Sequence, residues 1–142
     1  MRNYLTVDEL DSLFHAEIED KNISILRYIY YFCCCYGLSL EEASTLTSEN
    51  IYHVNGETYL KFKRDSAKDY VLLPLAEVSL STIKLFEHNE FCEITKQLFP
   101  IADAEILNQE AKRFRNYVGS DDNLNITRST PIKTFRRLCY EY

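Results

Sequence analysis

The residues that could do chemistry on their own are few, and their spacing excludes the common metal and nucleotide sites. His15, His53 and His88 do not have the spacing of a zinc site, and no acidic residue recurs with a histidine on one helical face. The sequence contains neither a phosphate-binding Gly-x-x-x-x-Gly-Lys-Ser/Thr loop nor a Gly-x-Gly-x-x-Gly string. We therefore expect no metal ion and no cofactor.

The five cysteines are an odd number, which argues against a disulfide framework. Cys33, Cys34 and Cys35 are consecutive in a predicted helix, so their side chains fan around its axis by about 100° each and cannot converge on one metal. We expect the cysteines to be buried, small apolar residues in a reducing compartment. A Cys–His nucleophile pair would require Cys92 or Cys139 to meet a distant histidine, an alternative that the sequence leaves open.

Charge is unevenly distributed along the chain. The net charge is −6, which argues against a general affinity for nucleic acid. Residues 111–142 nevertheless hold seven basic and three acidic side chains, a local charge of +4 that leaves −10 for residues 1–110. An acidic front and a basic tail predict a polarised surface, in which the basic part is either a binding face or a solvated helix.

Length and hydropathy predict one soluble domain. The chain has 142 residues, 46% of them hydrophobic and 27% charged, which is ordinary for a globular protein. No apolar run approaches the roughly 18–20 residues that a membrane span needs, and the N-terminus lacks a signal-peptide pattern. We therefore expect a cytoplasmic protein without a membrane partner.

Local patterns predict a mostly helical fold with one small sheet, in the α+β class. A capping box at Thr6 and Glu9 opens the first helix, and Gly37 ends the second, at 24–36. A short helix follows at 40–46. The Asn55-Gly56 pair predicts a β-hairpin between 51–54 and 58–63, and 70–73 adds a third antiparallel strand. Four further helices are expected at 79–88, 90–98, 103–118 and 131–140.

Five strings in this order resemble the catalytic domain of the tyrosine recombinases, the phage-integrase family. They are YLTVDEL at 4–10, YGLSLEE at 36–42, VLLPL at 71–75, LFP at 98–100 and ITRSTPIKTF at 126–135. The resemblance spans almost the whole chain and implies the helical catalytic-domain fold with its three-stranded antiparallel sheet. It also implies a single integrase-catalytic-like domain over 1–142, without the N-terminal core-binding domain and the C-terminal nucleophile segment.

The departures from the family pattern fall on its functional positions. The family clamps the scissile phosphate with two arginines and a histidine or lysine, because guanidinium groups match the charge on phosphoryl oxygens. The corresponding positions here are Ser39, Ser129, Ile132 and Lys133, which replace arginine, histidine, arginine and histidine. The hairpin lysine corresponds to Ser66, or to Lys63, Arg64 or Lys68 if the hairpin register differs. Tyr140 and Tyr142 come too early to be the nucleophile. The resemblance therefore implies a degenerate, C-terminally truncated domain that does not cut DNA.

Three hypotheses follow from the resemblance. The first is an inactive recombinase-like domain linked to DNA recombination or integration that binds double-stranded DNA weakly. The second is a protein-interaction module that contacts a related recombinase or a second copy of itself without binding DNA. The third is a fragment of a larger recombinase. For the first, the predicted DNA contacts are Lys61, Lys63, Arg64 and Lys68 on the hairpin and Arg128, Lys133, Arg136 and Arg137 around the last helix.

Overall fold

The computed structural model describes residues 2–64, 69–119 and 123–141. The chain forms two compact units, one from residues 1–40 and 103–142 and the other from 41–102. The fold is α+β and mostly α with a three-stranded antiparallel sheet, which confirms the predicted class. Lys68 and Ser66 lie outside the described residues. No helix in the described part of the chain is long and apolar enough to cross a membrane.

The elements follow the predicted order, with some differences in length. The helices are α1 Val7–His15, α2 Lys21–Tyr36, α3 Leu40–Ala43, α4 Glu77–Leu85, α5 Glu90–Thr95, α6 Ala104–Ala111 and α7 Thr130–Glu141. Two 3₁₀ segments lie at Ser48–Asn50 and Lys112–Tyr117, and the strands are β1 Ile51–Val54, β2 Glu57–Lys63 and β3 Tyr70–Pro74. Helix α3 is shorter than the predicted 40–46, and α5 ends at Thr95 because Lys96 adopts a left-handed φ of 68°.

Helix α2 is the centre of the first unit. Nine of its 16 residues are buried, so the helix is covered on most sides. It begins at Lys21, three residues earlier than predicted, because the Asp20 carboxylate accepts hydrogen bonds from the amides of Asn22 and Ile23 at 2.9 and 3.1 Å. The buried Arg27 guanidinium donates to the carbonyl oxygen of Ala16 at the end of α1, and thereby joins the two helices.

The cysteines only partly follow the prediction. Cys33, Cys34 and Cys92 are buried, as expected, whereas Cys35 is half-buried and Cys139 is exposed on α7. The fan of three consecutive side chains explains Cys35, because successive residues of a helix point about 100° apart and cannot all face the core.

Gly37 ends α2 in the left-handed region, with a φ of 68°, and its amide and that of Leu38 both donate to the carbonyl of Cys33. This confirms the predicted glycine corner.

A side chain at the φ of Gly37 costs about 1–2 kcal/mol, so Gly37→Ala should lower the free energy of unfolding by about that amount. Gly37→Asn should cost less, because asparagine tolerates this conformation. Urea unfolding of both variants measures the difference, and equal losses would contradict the conformational explanation.

The sheet of the second unit is built on the predicted hairpin. Strand β2 lies between β1 and β3, and Asn55 and Gly56 turn the chain with φ values of 52° and 81°, as a two-residue hairpin loop requires. Leu60 and Phe62 of β2 are buried on the inner face of the sheet. The amide of Leu98 donates to the carbonyl of Leu46 at 2.9 Å, which ties the chain after α5 back to the segment before the sheet.

Candidate nucleic-acid interface

The four residues predicted to correspond to the family's phosphate clamp all belong to the first unit. Ser39 follows the Gly37 corner at the end of α2, and it is buried with 8% of its surface exposed. Ser129, Ile132 and Lys133 lie at the start of α7, which packs along α2. Ser39 and the three residues near the start of α7 therefore belong to the same unit.

The start of α7 is held by a network of hydroxyl groups. The amide of Thr127 donates to the Thr130 hydroxyl at 2.8 Å, and the amide of Thr130 donates to the Thr127 carbonyl at 3.1 Å. The hydroxyls of Thr127 and Ser129 are hydrogen-bonded at 3.1 Å. The Ser129 hydroxyl therefore takes part in the hydrogen bonds of a local turn, and it has no charge with which to attract a phosphate.

One face of α7 is anchored in the core and the other is accessible. The side chain of Thr134 is fully buried, and its hydroxyl accepts from the amide of Leu5 at 2.9 Å. Residues three and four apart share a helical face. Ser129, Ile132, Lys133 and Arg136 follow this spacing, and each is half-buried or exposed. Of the four positions that correspond to the family clamp, only Lys133 is cationic.

The other cations predicted to contact DNA differ in their surroundings. Arg128 forms an ion pair with Glu105, which offsets its charge. The guanidinium carbon of Arg137 lies 4.5 Å from the ring centroid of Tyr4, and Arg136 is exposed. The half-buried Lys133 and the exposed Arg136 and Arg137 therefore form the cationic part of this region, at positions i, i+3 and i+4 of α7.

Sequence reasoning missed a cluster formed by the N-terminal segment. Arg2 pairs with Glu9, and the Tyr4 ring lies within cation–π distance of both Arg2 and Arg137, at 5.6 and 4.5 Å. The backbone of Arg2 is hydrogen-bonded to residues 123 and 125 in the loop before α7. The capping box at Thr6 identified Glu9 in the sequence. No sequence pattern indicated that Tyr4 contacts Arg137, because the two residues are far apart along the chain.

The charge of Glu9 stabilises this segment. Burial alone would raise the pKa of the Glu9 carboxyl, but hydrogen bonds from Arg2 and the Thr6 amide, together with the charge of Arg2, hold that pKa below its usual value. Because the folded-state pKa is lowered, the stabilisation is present above the unfolded pKa of about 4.5 and is lost as the pH falls through the folded value.

Glu9→Gln should therefore destabilise the fold at pH 7 by about 1–2 kcal/mol, because glutamine keeps the cap acceptor but loses the charge. The difference from wild type should shrink between pH 5 and pH 3, as the wild-type carboxylate is protonated. Urea unfolding at several pH values measures it. A difference that stays constant over this range would assign the loss to packing instead.

The hairpin cations belong to the second unit. The Lys61 ammonium lies between two rings, 5.2 Å from the centroid of Tyr52 and 5.0 Å from that of Tyr70. Lys63 is exposed, and the Arg64 guanidinium lies 5.0 Å from the Phe62 ring. The sequence identified these cations but not their aromatic neighbours, because that arrangement depends on the register of three strands.

Three of the thiols, those of Cys34, Cys35 and Cys92, are poorly suited to nucleophilic chemistry. Burial raises the pKa of Cys34 well above its ordinary value, that of Cys35 to about 11, and that of Cys92 to a lesser extent. A neutral thiol is a weak nucleophile at physiological pH. Among residues 2–64, 69–119 and 123–141, no three His, Cys, Asp or Glu side chains converge as metal ligands.

The fold is similar to that of a solved site-specific recombinase. The structure of XerH bound to its difH substrate, a pre-cleavage complex, superposes with a TM-score of 0.66 and 17% identity over 99% of this chain and 43% of that one. XerH with a palindromic difH substrate, a post-cleavage complex, gives 0.66 and 18% over 97% and 42%. No protein-family model and no curated protein sequence matches. The likeness confirms a recombinase-like fold, and the chain spans less than half the length of these structures.

Proposed function

We propose that this domain binds double-stranded DNA, and does not cut it, through a basic surface on α7 and the residues just before it: Arg128, Lys133, Arg136 and Arg137. The observation that carries the proposal is the accessible row of Lys133, Arg136 and Arg137 on α7, at the place where the resemblance positions a phosphate clamp. Cations in one row on a helix can follow a line of phosphates.

The proposed binding is weak and electrostatic. Each phosphate contact releases counterions, so the logarithm of the association constant falls with the logarithm of the salt concentration by about 0.9 per contact. Three or four cations, one of them already paired with Glu105, give a slope of about −3. The net charge of −6 opposes a general attraction of DNA to the chain.

The proposed lack of cleavage follows from the side chains at the clamp positions. Ser39 and Ser129 can donate one hydrogen bond each, and Ile132 can donate none. A phosphoryl transition state spreads negative charge over several oxygens, which bidentate guanidinium groups stabilise and hydroxyls do not. Lys133 alone supplies one charge, which can contact a phosphate but does not match the charge that the transition state spreads over several oxygens.

Charge reversal with a matched control tests the proposal. Fluorescence anisotropy with a labelled duplex compares wild type, Arg136→Glu/Arg137→Glu, and Lys84→Glu/Lys96→Glu, two exposed lysines of the second unit. Both variants change the net charge by the same amount. The α7 variant should weaken binding at least about tenfold, because each hydrogen bond to a charged group is worth about 1.5–3 kcal/mol. The control should change it little.

Equal losses of affinity in both variants would show a general charge effect and overturn the assignment to α7. An absence of binding at low salt would exclude DNA as the ligand and leave a protein partner. Against that alternative, the exposed large hydrophobic residues of the described side chains include none from α7. An interaction surface centred on the last helix would be expected to expose such residues.

A further inference from the structure

The outward face of the sheet in the second unit carries exposed aromatic and apolar side chains beside lysines. Directly opposite residues in an antiparallel sheet point to the same face, so the register of the three strands defines this set. We call it the outer sheet face, and it consists of Tyr52, Val54, Glu57, Tyr59, Lys61, Lys63, Tyr70 and Leu72. Four of the nine exposed large hydrophobic residues in the described part of the chain lie here.

The two edge strands hold their tyrosines on either side of one central lysine. Tyr52 on β1 and Tyr70 on β3 are 44% and 63% exposed, and the Lys61 ammonium lies about midway, 5.2 and 5.0 Å from their ring centroids. Tyr59 lies directly opposite Tyr52, and its hydroxyl donates to Glu57 at 2.7 Å. The face thus offers accessible ring planes with a positive charge between them.

We propose that the outer sheet face binds single-stranded nucleic acid, with bases stacked on Tyr52 and Tyr70 and the connecting phosphate at Lys61 and Lys63. Every base has a flat π-face, and stacking on an aromatic side chain contributes whatever the sequence. Open sheets with exposed aromatic residues are a recurrent platform for this mode of binding.

Charge complementarity favours this occupant over others. The outer sheet face carries two lysines and one glutamate, a net charge of +1 in a chain of −6, so it complements a polyanion. A second copy docked on the same face would bring like charges together. Duplex DNA keeps its base planes stacked inside, so Tyr52 and Tyr70 would have nothing to stack on. The outer sheet face is a different surface from α7, and strand binding there does not rest on duplex binding.

The test uses the whole chain with a fluorescein-labelled single-stranded 12-mer, as DNA and as RNA, and the corresponding duplex. Anisotropy compares wild type, Tyr52→Ala/Tyr70→Ala, Tyr52→Phe/Tyr70→Phe, and the control Leu85→Ala/Ile94→Ala, which removes exposed apolar side chains elsewhere in the unit. The alanine pair should lose at least about 30-fold in affinity for the strand, since each stacked base is worth about 5- to 150-fold. The phenylalanine pair and the control should bind as wild type does.

A second measurement uses wild type alone, so its result does not depend on whether the alanine pair folds. A strand that contains 5-iodouracil is cross-linked to the protein by light, and mass spectrometry of the peptides should identify Tyr52 or Tyr70 as the attached residue. Cross-links confined to α7, strand affinity no greater than that of the control 12-mer duplex, or unchanged affinity in the alanine pair would each overturn the inference. Concentration-dependent dimerisation that depends on these tyrosines would do so as well. Arg136→Glu/Arg137→Glu should impair the duplex and spare the strand, so the two proposals fail separately.

Discussion

A duplex substrate designed to trap the covalent protein–DNA intermediate of cleavage should form no such intermediate with this domain. The sequence resemblance assigns Ser39, Ile132 and Ser129 to the positions of two arginines and a histidine in the family. Removing one preorganised donor from a charge-stabilising site typically costs about 10²–10³ in rate. Loss at three positions is expected to reduce cleavage by about 10⁶ or more, although such effects are not additive. Denaturing gels with end-labelled duplex measure the covalent product.

A variant that should bind the duplex more tightly without cleaving it separates DNA binding from catalysis in the same experiment. Ile132→Arg places a guanidinium on the accessible face of α7, between Ser129 and Arg136 in helical spacing. It should tighten duplex binding about tenfold, as one charged hydrogen bond would, and yield no covalent product. A protease-sensitive, denaturant-resistant band with wild-type protein would contradict the assignment of an inactive domain. An unchanged affinity in Ile132→Arg would place the DNA elsewhere.

Phe114→Ala should destabilise the fold more than Gly37→Ala or Glu9→Gln. The Phe114 side chain is fully buried, and its ring meets that of Tyr30 on α2 edge to face, 5.1 Å between centroids and 64° between planes. Truncating a buried phenylalanine costs about 3–5 kcal/mol, a large fraction of the stability of a small domain. Urea or thermal unfolding followed by circular dichroism should show this loss.

The matched control for Phe114→Ala is an exposed residue of similar apolar character. Leu85 is 56% exposed, so Leu85→Ala should change the free energy of unfolding by about 0.5 kcal/mol or less. A loss below about 1 kcal/mol in Phe114→Ala would mean that the 3₁₀ segment does not pack onto α2 in solution. That outcome would contradict the architecture of the first unit.

Features with a local cause were predictable from the sequence. The Gly37 corner, the Thr6 capping box and the Asn55-Gly56 turn each depend on a few adjacent residues, and all three are present. The predicted helix at 103–118 is only half α-helical, because Lys112–Tyr117 forms a 3₁₀ segment. Phe114 is buried all the same, since a spacing of three residues keeps it on the same side as Ala111 in either type of helix.

Features that depend on distant partners were not predictable. The sequence identified Arg128 as a DNA contact but not its ion pair with Glu105, which is 23 residues away. It identified Lys61 without the rings of Tyr52 and Tyr70, whose approach requires the register of three strands. The cations could be identified from the sequence because charge is a property of a single residue. Their neighbours could not, because the fold determines which residues lie next to them.

Duplex binding by α7 is tested most directly by the salt dependence of its affinity. Anisotropy between about 50 and 200 mM salt should give a slope of about −3 for the logarithm of the association constant of wild type. In Arg136→Glu/Arg137→Glu the slope should become shallower by about 1 for each phosphate that the variant no longer binds, while Lys84→Glu/Lys96→Glu should keep the wild-type slope. A slope near zero for wild type, or the same slope in all three proteins, would contradict a DNA-contacting α7.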